Sequence, residues 1–487
     1  MIHLNRLTRA TAALIAVALL AGCSANPLSA FRDVEQTVAS RSGGKRLHWM
    51  RGGAADAESQ RGVQALLKRQ LTADSAAQIA LLNNRSIQAE LEEIGIARAD
   101  YLQALLPSNP NFSGFLRYPD RPPFGANAEG QVAGNILDLL LLPIRKKIAA
   151  AQLQAAKMSV AADVLGIVAE TKTAFYELQA RQQLLGRLTL IGKTNEAALD
   201  IAQRQHEAGN ITDLDLANQQ ALYSQSKVDL AQTQTQIRSD RERLNRLMGV
   251  WGSALDWRIA DQLPPIPKSE GSLANLEKRA IAERLDVALA RQNVASIGYA
   301  LRARGGTRFL PVKIDLGVNR ERDVDGTVLT GPTLDLQLPL FDFGQAAIPK
   351  LQAQHRQAQH QLEALAVNAR SEVREARDLV VANRDLANFY GKTLLPQRLQ
   401  IVNQTALHYN AMQVGPIELL AAKERELKTE RGYIEAWRNY WIARVELERA
   451  LVGRGGGGRA TPQRGRESGA RGGDEGGNSG TNAADNE

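Results

Sequence analysis

The sequence predicts a mostly α-helical chain with a small membrane β-barrel part, assembled from two copies of one unit. Two observations carry this. The stretch from Leu105-Leu106-Pro107 to Leu244-Asn245-Arg246-Leu247-Met248-Gly249 recurs, with drift, from Phe309-Leu310-Pro311 to Leu447-Glu448-Arg449-Ala450-Leu451-Val452-Gly453. Within each copy a Pro-terminated helix leads into short strand-like segments, a second Leu-Pro (Leu142-Pro143, Leu338-Pro339), a very long helical stretch, a turn and another long helix. Such a duplication marks a pseudo-symmetric scaffold or tube more than an enzyme.

Taken in order, the chain opens with Arg6 and Arg9 ahead of an apolar run from Ala10 to Leu20, too short to span a bilayer and suited to a secretory leader. The run ends in Leu20-Ala21-Gly22-Cys23. Small residues before the only cysteine resemble the lipobox of bacterial lipoproteins, whose cleavage leaves Cys23 as the lipidated first residue. Ser24 in the next position resembles lipoproteins sorted to the outer membrane. Residues 1–22 are therefore read as a signal peptide and 23–70 as a lipidated tether, with a first helix starting near Thr72-Ala73-Asp74. One cysteine excludes an intrachain disulfide. The net charge of +8 falls to +6 once Arg6 and Arg9 leave with the leader, too mild to require a nucleic-acid partner. Aromatics make up only 5%, which suits long helices with narrow apolar seams.

Between the helices lie the strands. Val312, Ile314, Leu316 and Val318 alternate with Lys313, Asp315, Gly317 and Asn319; Asp323-Val324-Asp325-Gly326 signals a turn; Leu334, Leu336 and Leu338 alternate again. One apolar and one polar face on both arms of a hairpin is what a membrane barrel needs, although a soluble sandwich edge also alternates. The first copy reads less cleanly: Asn111 to Tyr118 as a strand, Pro119 to Gly125 as a loop, and the apolar run Ile136 to Leu142 closing a short or irregular hairpin. Four strands per chain cannot close a barrel, so the membrane reading requires several chains.

The rods follow. Gln345 to about His408 contains only Pro349 and Pro396 as helix breakers, and about sixty residues make a rod of roughly 90 Å; its first-copy equivalent is Arg145 to His206. The return helices carry seven-residue stripes: Leu216, Tyr223, Leu230, Ile237 and Leu244 in one, Tyr433, Tyr440 and Leu447 with Leu420, Leu427, Ile434 and Trp441 in the other. Adjacent stripes let a helix pack on both sides, as a helical barrel demands. Residues 454–487 are Gly-rich with balanced charge and are read as a disordered tail.

Leu338-Pro339-Leu340-Phe341-Asp342-Phe343-Gly344 resembles the strand-to-helix signature of the TolC-like outer-membrane efflux proteins. So do the helix from Leu81 to Pro107 with Asn83-Asn84, the stretch Arg284-Leu285-Asp286-Val287, and the turn from His206 to Asp215. The resemblance implies repeats at 71–249 and 273–453 joined by an equatorial linker at 250–272, and a homotrimer with a twelve-stranded barrel continued by a helical barrel. It also implies an exit channel in the outer membrane of a Gram-negative bacterium, within a tripartite efflux or type I secretion-like system. Its partners would be outer-membrane lipid, a periplasmic adaptor (membrane fusion) protein and an inner-membrane transporter. Pro143, Pro339, Phe341 and Gly344 would mark the strand-to-helix junctions.

By the same resemblance, the two helix turns form the periplasmic gate and adaptor contact. Gly209 matches the tip glycine and Asp215 a carboxylate of the closing network; Tyr409 and Glu418 match a gating tyrosine and an acidic constriction. Met412 stands where a second glycine is usual, and Val414 replaces an arginine latch. Asp215 and Glu418 also suit a plainer role, flanking the positive N-terminus of a return helix. Enzymatic function is not indicated: six histidines show no ligand spacing, and no nucleophile-elbow, P-loop or dinucleotide motif occurs, so neither metal nor cofactor is expected. A periplasmic coiled-coil scaffold lipoprotein without a channel is the alternative; it accounts for the helices but not the amphipathic hairpin.

Overall fold

The computed structural model describes residues 28–453 apart from 123–124, 268–269 and 271; the expected signal peptide, Cys23 and the 454–487 tail lie outside the described residues. The first half runs α1 (Leu28–Arg41), α2 (Ala54–Leu67), α3 (Ala73–Asn83), α4 (Arg85–Leu105), β1 (Asn111–Arg117), β2 (Asn127–Asn135), α5 (Ile136–Glu207) and α6 (Asp213–Met248). The second runs α7 (Leu276–Glu283), α8 (Leu285–Gly306), β3 (Lys313–Arg322), β4 (Val328–Gln337), α9 (Ala347–Phe389), α10 (Leu395–Asn410) and α11 (Pro416–Val452). At 72 residues, α5 alone is roughly 110 Å long. Alanines 149, 151, 161, 162, 169, 174, 180, 198 and 202 are buried along it, so neighbouring helices pack against small side chains.

Three sequence expectations are corrected. The tether reading of residues up to 70 does not hold from Leu28 onward: α1, α2 and the segment between them pack on the body through Val34, Val38, Leu47, Trp49 and Val63. Lys157 Nζ reaches Asp33 at 2.7 Å, and Trp49 Nε1 donates to Glu92 at 2.8 Å. Helix α3 does begin as expected, in a reciprocal bond between Thr72 and Ser75.

The second correction concerns the first hairpin. Its returning strand is Asn127–Asn135, and the apolar run Ile136 to Leu142 instead opens α5, capped by Asn135 Oδ1 accepting from Asp138 N at 3.2 Å. Pro143 consequently lies inside α5 and not at the strand-to-helix junction. The third concerns the second rod, which is interrupted by a π turn at Tyr390–Leu394. Pro396 has no N–H for the carbonyl four residues back and its ring crowds that carbonyl. Widening the preceding turn relieves this, with Leu395 N donating to Tyr390 O. The wider turn is held by reciprocal packing, the Tyr433 ring against Gly391 and the Tyr390 ring against Gly432.

The four strands form one antiparallel sheet in the order β1-β2-β3-β4. Register sorts the side chains by face. Phe112, Leu116, Val132, Ile314, Leu316, Val318, Leu334 and Leu336 share one face, with Arg320, Arg322 and Thr330 as polar exceptions toward the β3–β4 turn, while Ser113, Glu129, Gln131, Asp315, Asn319, Glu321, Thr333 and Asp335 share the other, with Phe115 and Leu329 as apolar exceptions. The polar face is tied together across strands: Asn127 Nδ2 donates to Glu321 (2.8 Å), Asn319 Nδ2 to Glu129 (2.8 Å) and Gln131 Nε2 to Thr333 Oγ1 (3.0 Å).

The main core lies at mid-height, where the segment between the halves wraps the helices. Trp257 is 1% exposed; its Nε1 donates to Asn245 Oδ1, and the Arg241 guanidinium stacks 3.9 Å over its ring. Leu71 N bonds Arg258 O, and the indole N–H groups of Trp437 and Trp441 both reach Pro264 O at 2.9 Å. The duplication is physical here. Asn83 and Asn84 donate to the carbonyls that end α6 (Met248, Gly249 and Leu247), and buried Arg284 donates to Ala450 O near the end of α11. Arg284 is held by a two-pronged bond to Asp286 (3.0 and 2.7 Å) and one to Glu372 (2.8 Å). A side chain at Gly249 would put a Cβ 2.6 Å from Asn83 O, so this approach demands glycine.

Candidate functional site

Both long descending helices end in the same turn. Gly209 N donates to His206 O and Asn210 N to Gln205 O (both 2.8 Å); Met412 N donates to Tyr409 O and Gln413 N to His408 O (both 2.9 Å). This pair of bonds closes a helix C-terminus with its corner residue in the left-handed region, and the corner φ values are 72° at Gly209 and 60° at Met412. Glycine adopts this at no steric cost, whereas methionine carries roughly 1–2 kcal/mol of strain. The Met412 side chain is 95% exposed. Each turn also carries a side-chain clamp that no sequence spacing displays: His206 Nε2 contacts Asp213 Oδ1 at 2.6 Å, and His408 Nδ1 contacts Gln413 Oε1 at 2.5 Å.

The two carboxylates occupy equivalent places but differ in their partners. Asp215 is the third residue of α6 and closes a capping box: Thr212 Oγ1 accepts from Asp215 N (3.2 Å), and the Asp215 carboxylate accepts from the Thr212 hydroxyl (2.7 Å) and N–H (3.1 Å). These bonds, the hydroxyl's first, hold the Asp215 carboxyl below its ordinary range. Glu418 is the third residue of α11, where the cap is Gly415 and no side chain returns a bond. It stands exposed, with no hydrogen bond or ion pair among the described residues. The Tyr409 hydroxyl likewise meets no partner in this chain among the described residues, and no hydrogen bond joins the two tips there.

At the other end of the rods, Pro339 stands two residues beyond the last paired residue, Gln337, and the chain turns through Leu340 N donating to Leu338 O at 3.0 Å. Asp342 Oδ1 accepts from Gly344 N (2.7 Å), Gln345 Nε2 donates to Phe341 O (2.6 Å), and Gly344 takes φ 81° before its carbonyl accepts the first turn of α9 from Ile348 N. Phe341 is 91% exposed, and Phe309 and Phe343 meet with ring centroids 6.3 Å apart. Among the described residues no helix is long and apolar enough to cross a membrane, and no cluster of three or more His, Cys, Asp or Glu has the geometry of a metal site.

Residues 144–250 match the family model described as outer membrane efflux protein. No curated protein matches the chain in sequence. Solved structures match along most of its length. A membrane protein from Pseudomonas aeruginosa is 21% identical, with a TM-score of 0.66 over 80% of this chain and 93% of its own. The outer membrane protein VceC from Vibrio cholerae is 17% identical, with a TM-score of 0.64 over 83% of this chain and 100% of its own. The Neisseria gonorrhoeae MtrE outer membrane channel in its open state is 18% identical, with a TM-score of 0.62 over 81% of this chain and 89% of its own. Residues 144–250 thus resemble the outer membrane efflux proteins in sequence, and over most of its length the chain has the fold of these solved structures.

Proposed function

We propose that three copies of this chain close one twelve-stranded barrel and serve as the outer membrane exit duct of a tripartite efflux system. Small solutes would enter from a periplasmic adaptor and an inner-membrane transporter docked at the tips. The observation that carries this is the sheet register, with apolar side chains gathered on one face, a bonded polar network on the other, and β1 and β4 left as unpaired edges. Unpaired backbone groups at a sheet edge are untenable in lipid, so neighbouring chains must supply partners. A scaffold lipoprotein without a channel would instead expose Phe112, Leu116, Leu316, Val318 and Leu334 to water for no gain.

The lipid on Cys23 acts in this reading as an auxiliary anchor, because acyl chains hold a protein less firmly than a spanning structure does. Solubilised protein crosslinked in detergent is expected as a trimer that conducts in planar bilayers. A monomer that stays soluble without detergent and passes no current would overturn the reading. With Cys23→Ser and a leader that is still cleaved, the protein should remain in the outer membrane fraction; full release to the periplasm would remove the barrel from consideration.

A further inference from the structure

We propose that the strand-to-helix junction of the second half is a binding surface for anionic phospholipid headgroups of the leaflet nearest the helices. The inference rests on the membrane-embedded reading of the sheet. Residues 298–313 contain four cations, Arg302, Arg304, Arg308 and Lys313, and no acid; on the facing segment Lys350 follows the single acid Asp342. Two cations are neutralised within the chain, Arg304 by Asp342 at 3.6 Å and Lys313 by Asp315. Arg302, Arg308 and Lys350 are exposed and have no carboxylate within salt-bridge distance among the described residues.

These three lie beside an apolar belt at the base of the sheet, where Phe309, Leu310, Leu338, Leu340, Phe341 and Phe343 are all exposed. Aromatic side chains of a membrane barrel settle at the headgroup level. The Arg308 guanidinium carbon lies 4.2 Å from the Phe309 ring centroid, and that of Arg302 lies 5.0 Å from the Tyr299 centroid. Stacking holds the planar group while leaving its edge N–H donors free, and that fork matches two phosphate oxygens. Helix dipoles do not account for the set. They favour Arg302 and Arg304 in the last turns of α8, but Arg308 lies beyond that helix, and Lys350 sits at the positive start of α9, where a cation is disfavoured. Anionic phosphodiester headgroups along this junction would offset all three without such conflict.

The test uses the full-length trimer in nanodiscs of phosphatidylcholine alone or mixed with phosphatidylglycerol, with retained lipids counted by native mass spectrometry after transfer to detergent. Wild type should retain phosphatidylglycerol preferentially, the preference should fall as salt rises, and each cation removed by substitution should lower it roughly fivefold. R302Q/R308Q/K350Q should lose it, whereas R302K/R308K should keep most of it, which separates charge from folding damage. Equal retention of both lipids by wild type, or a preference that survives in the triple variant, overturns the inference alone. Failure to insert into either bilayer overturns the membrane reading and this inference with it.

Discussion

Met412 stands at φ 60° where the first tip has Gly209 at 72°, and the backbone bonds that close the two turns are equivalent. Replacing it with glycine removes the left-handed penalty, so Met412→Gly should stabilise the second tip by about 1 kcal/mol, read as slower deuterium uptake in peptides covering 405–418. Faster uptake would show that the methionine side chain holds the turn by contacts of its own. At the first tip the relevant residues are Thr212 and Asp215. The Asp215 carboxyl is depressed by its bonds to Thr212, so its stabilising contribution is complete above the ordinary carboxylate pKa and is lost as pH falls through the lower folded value. Deuterium uptake at 205–216, referenced to an unstructured peptide at each pH, should rise only in that acid window. Thr212→Ala should raise uptake at neutral pH, at a cost of about 1 kcal/mol. The capping box was written in Thr212-Asp213-Leu214-Asp215 all along; the clamp between His206 and Asp213 was not, because it depends on how the turn folds back.

At the scale of elements, legibility followed periodicity. Both rods are legible from their lack of helix breakers and the second hairpin and the seven-residue stripes from strong periods; the stripes face inward, with Leu244, Leu427, Ile434, Tyr440 and Leu447 buried and the others half-buried. The first hairpin is not legible in the sequence because β2 contributes only Ala128 and Val132 to the apolar face, with Gly130 and Gly134 between and beyond them, while Ile136 to Leu142 is an apolar run broken only by Asp138 that helix and strand share equally. The π turn is not legible in the sequence because a proline's clash can be absorbed either by ending a helix or by widening the turn before it, and only packing against Tyr433 and Gly432 decides. Arg284 was singled out within a motif, but its partner Glu372 lies far along the chain and its role in docking α11 is tertiary. Arg284→Ala leaves Asp286 and Glu372 without their cation and should destabilise the second half by roughly 3 kcal/mol or more. Thermal unfolding of the solubilised protein measures this, and a loss below about 1 kcal/mol, the range of exposed pairs, would mean that water replaces the guanidinium.

Considered as a whole molecule, the duplication makes the two tips near-copies in backbone and unequal in chemistry. Asp215 has its lone pairs engaged by Thr212, whereas Glu418, at the equivalent position, has no partner among the described residues. In the trimer proposed above, three copies of Glu418 at the narrow end form a ring of carboxylates, and a ring of one sign in a constriction concentrates counter-ions. Tyr409, with its hydroxyl also unpartnered here, is the nearest equivalent in role: a donor left for a neighbouring chain. Glu418→Ala should therefore lower cation-over-anion selectivity and raise single-channel conductance in planar bilayers, and Tyr409→Phe should raise conductance without altering selectivity. Asp215→Ala should change neither, affecting only the local order of its own tip. Reversal potentials under a salt gradient separate these effects. A selectivity change in Asp215→Ala equal to that in Glu418→Ala would mean that both acids face the pore and that the capping bond to Thr212 yields when the trimer forms. No change in either variant, with trimers intact, would return both carboxylates to the plain task of starting a helix.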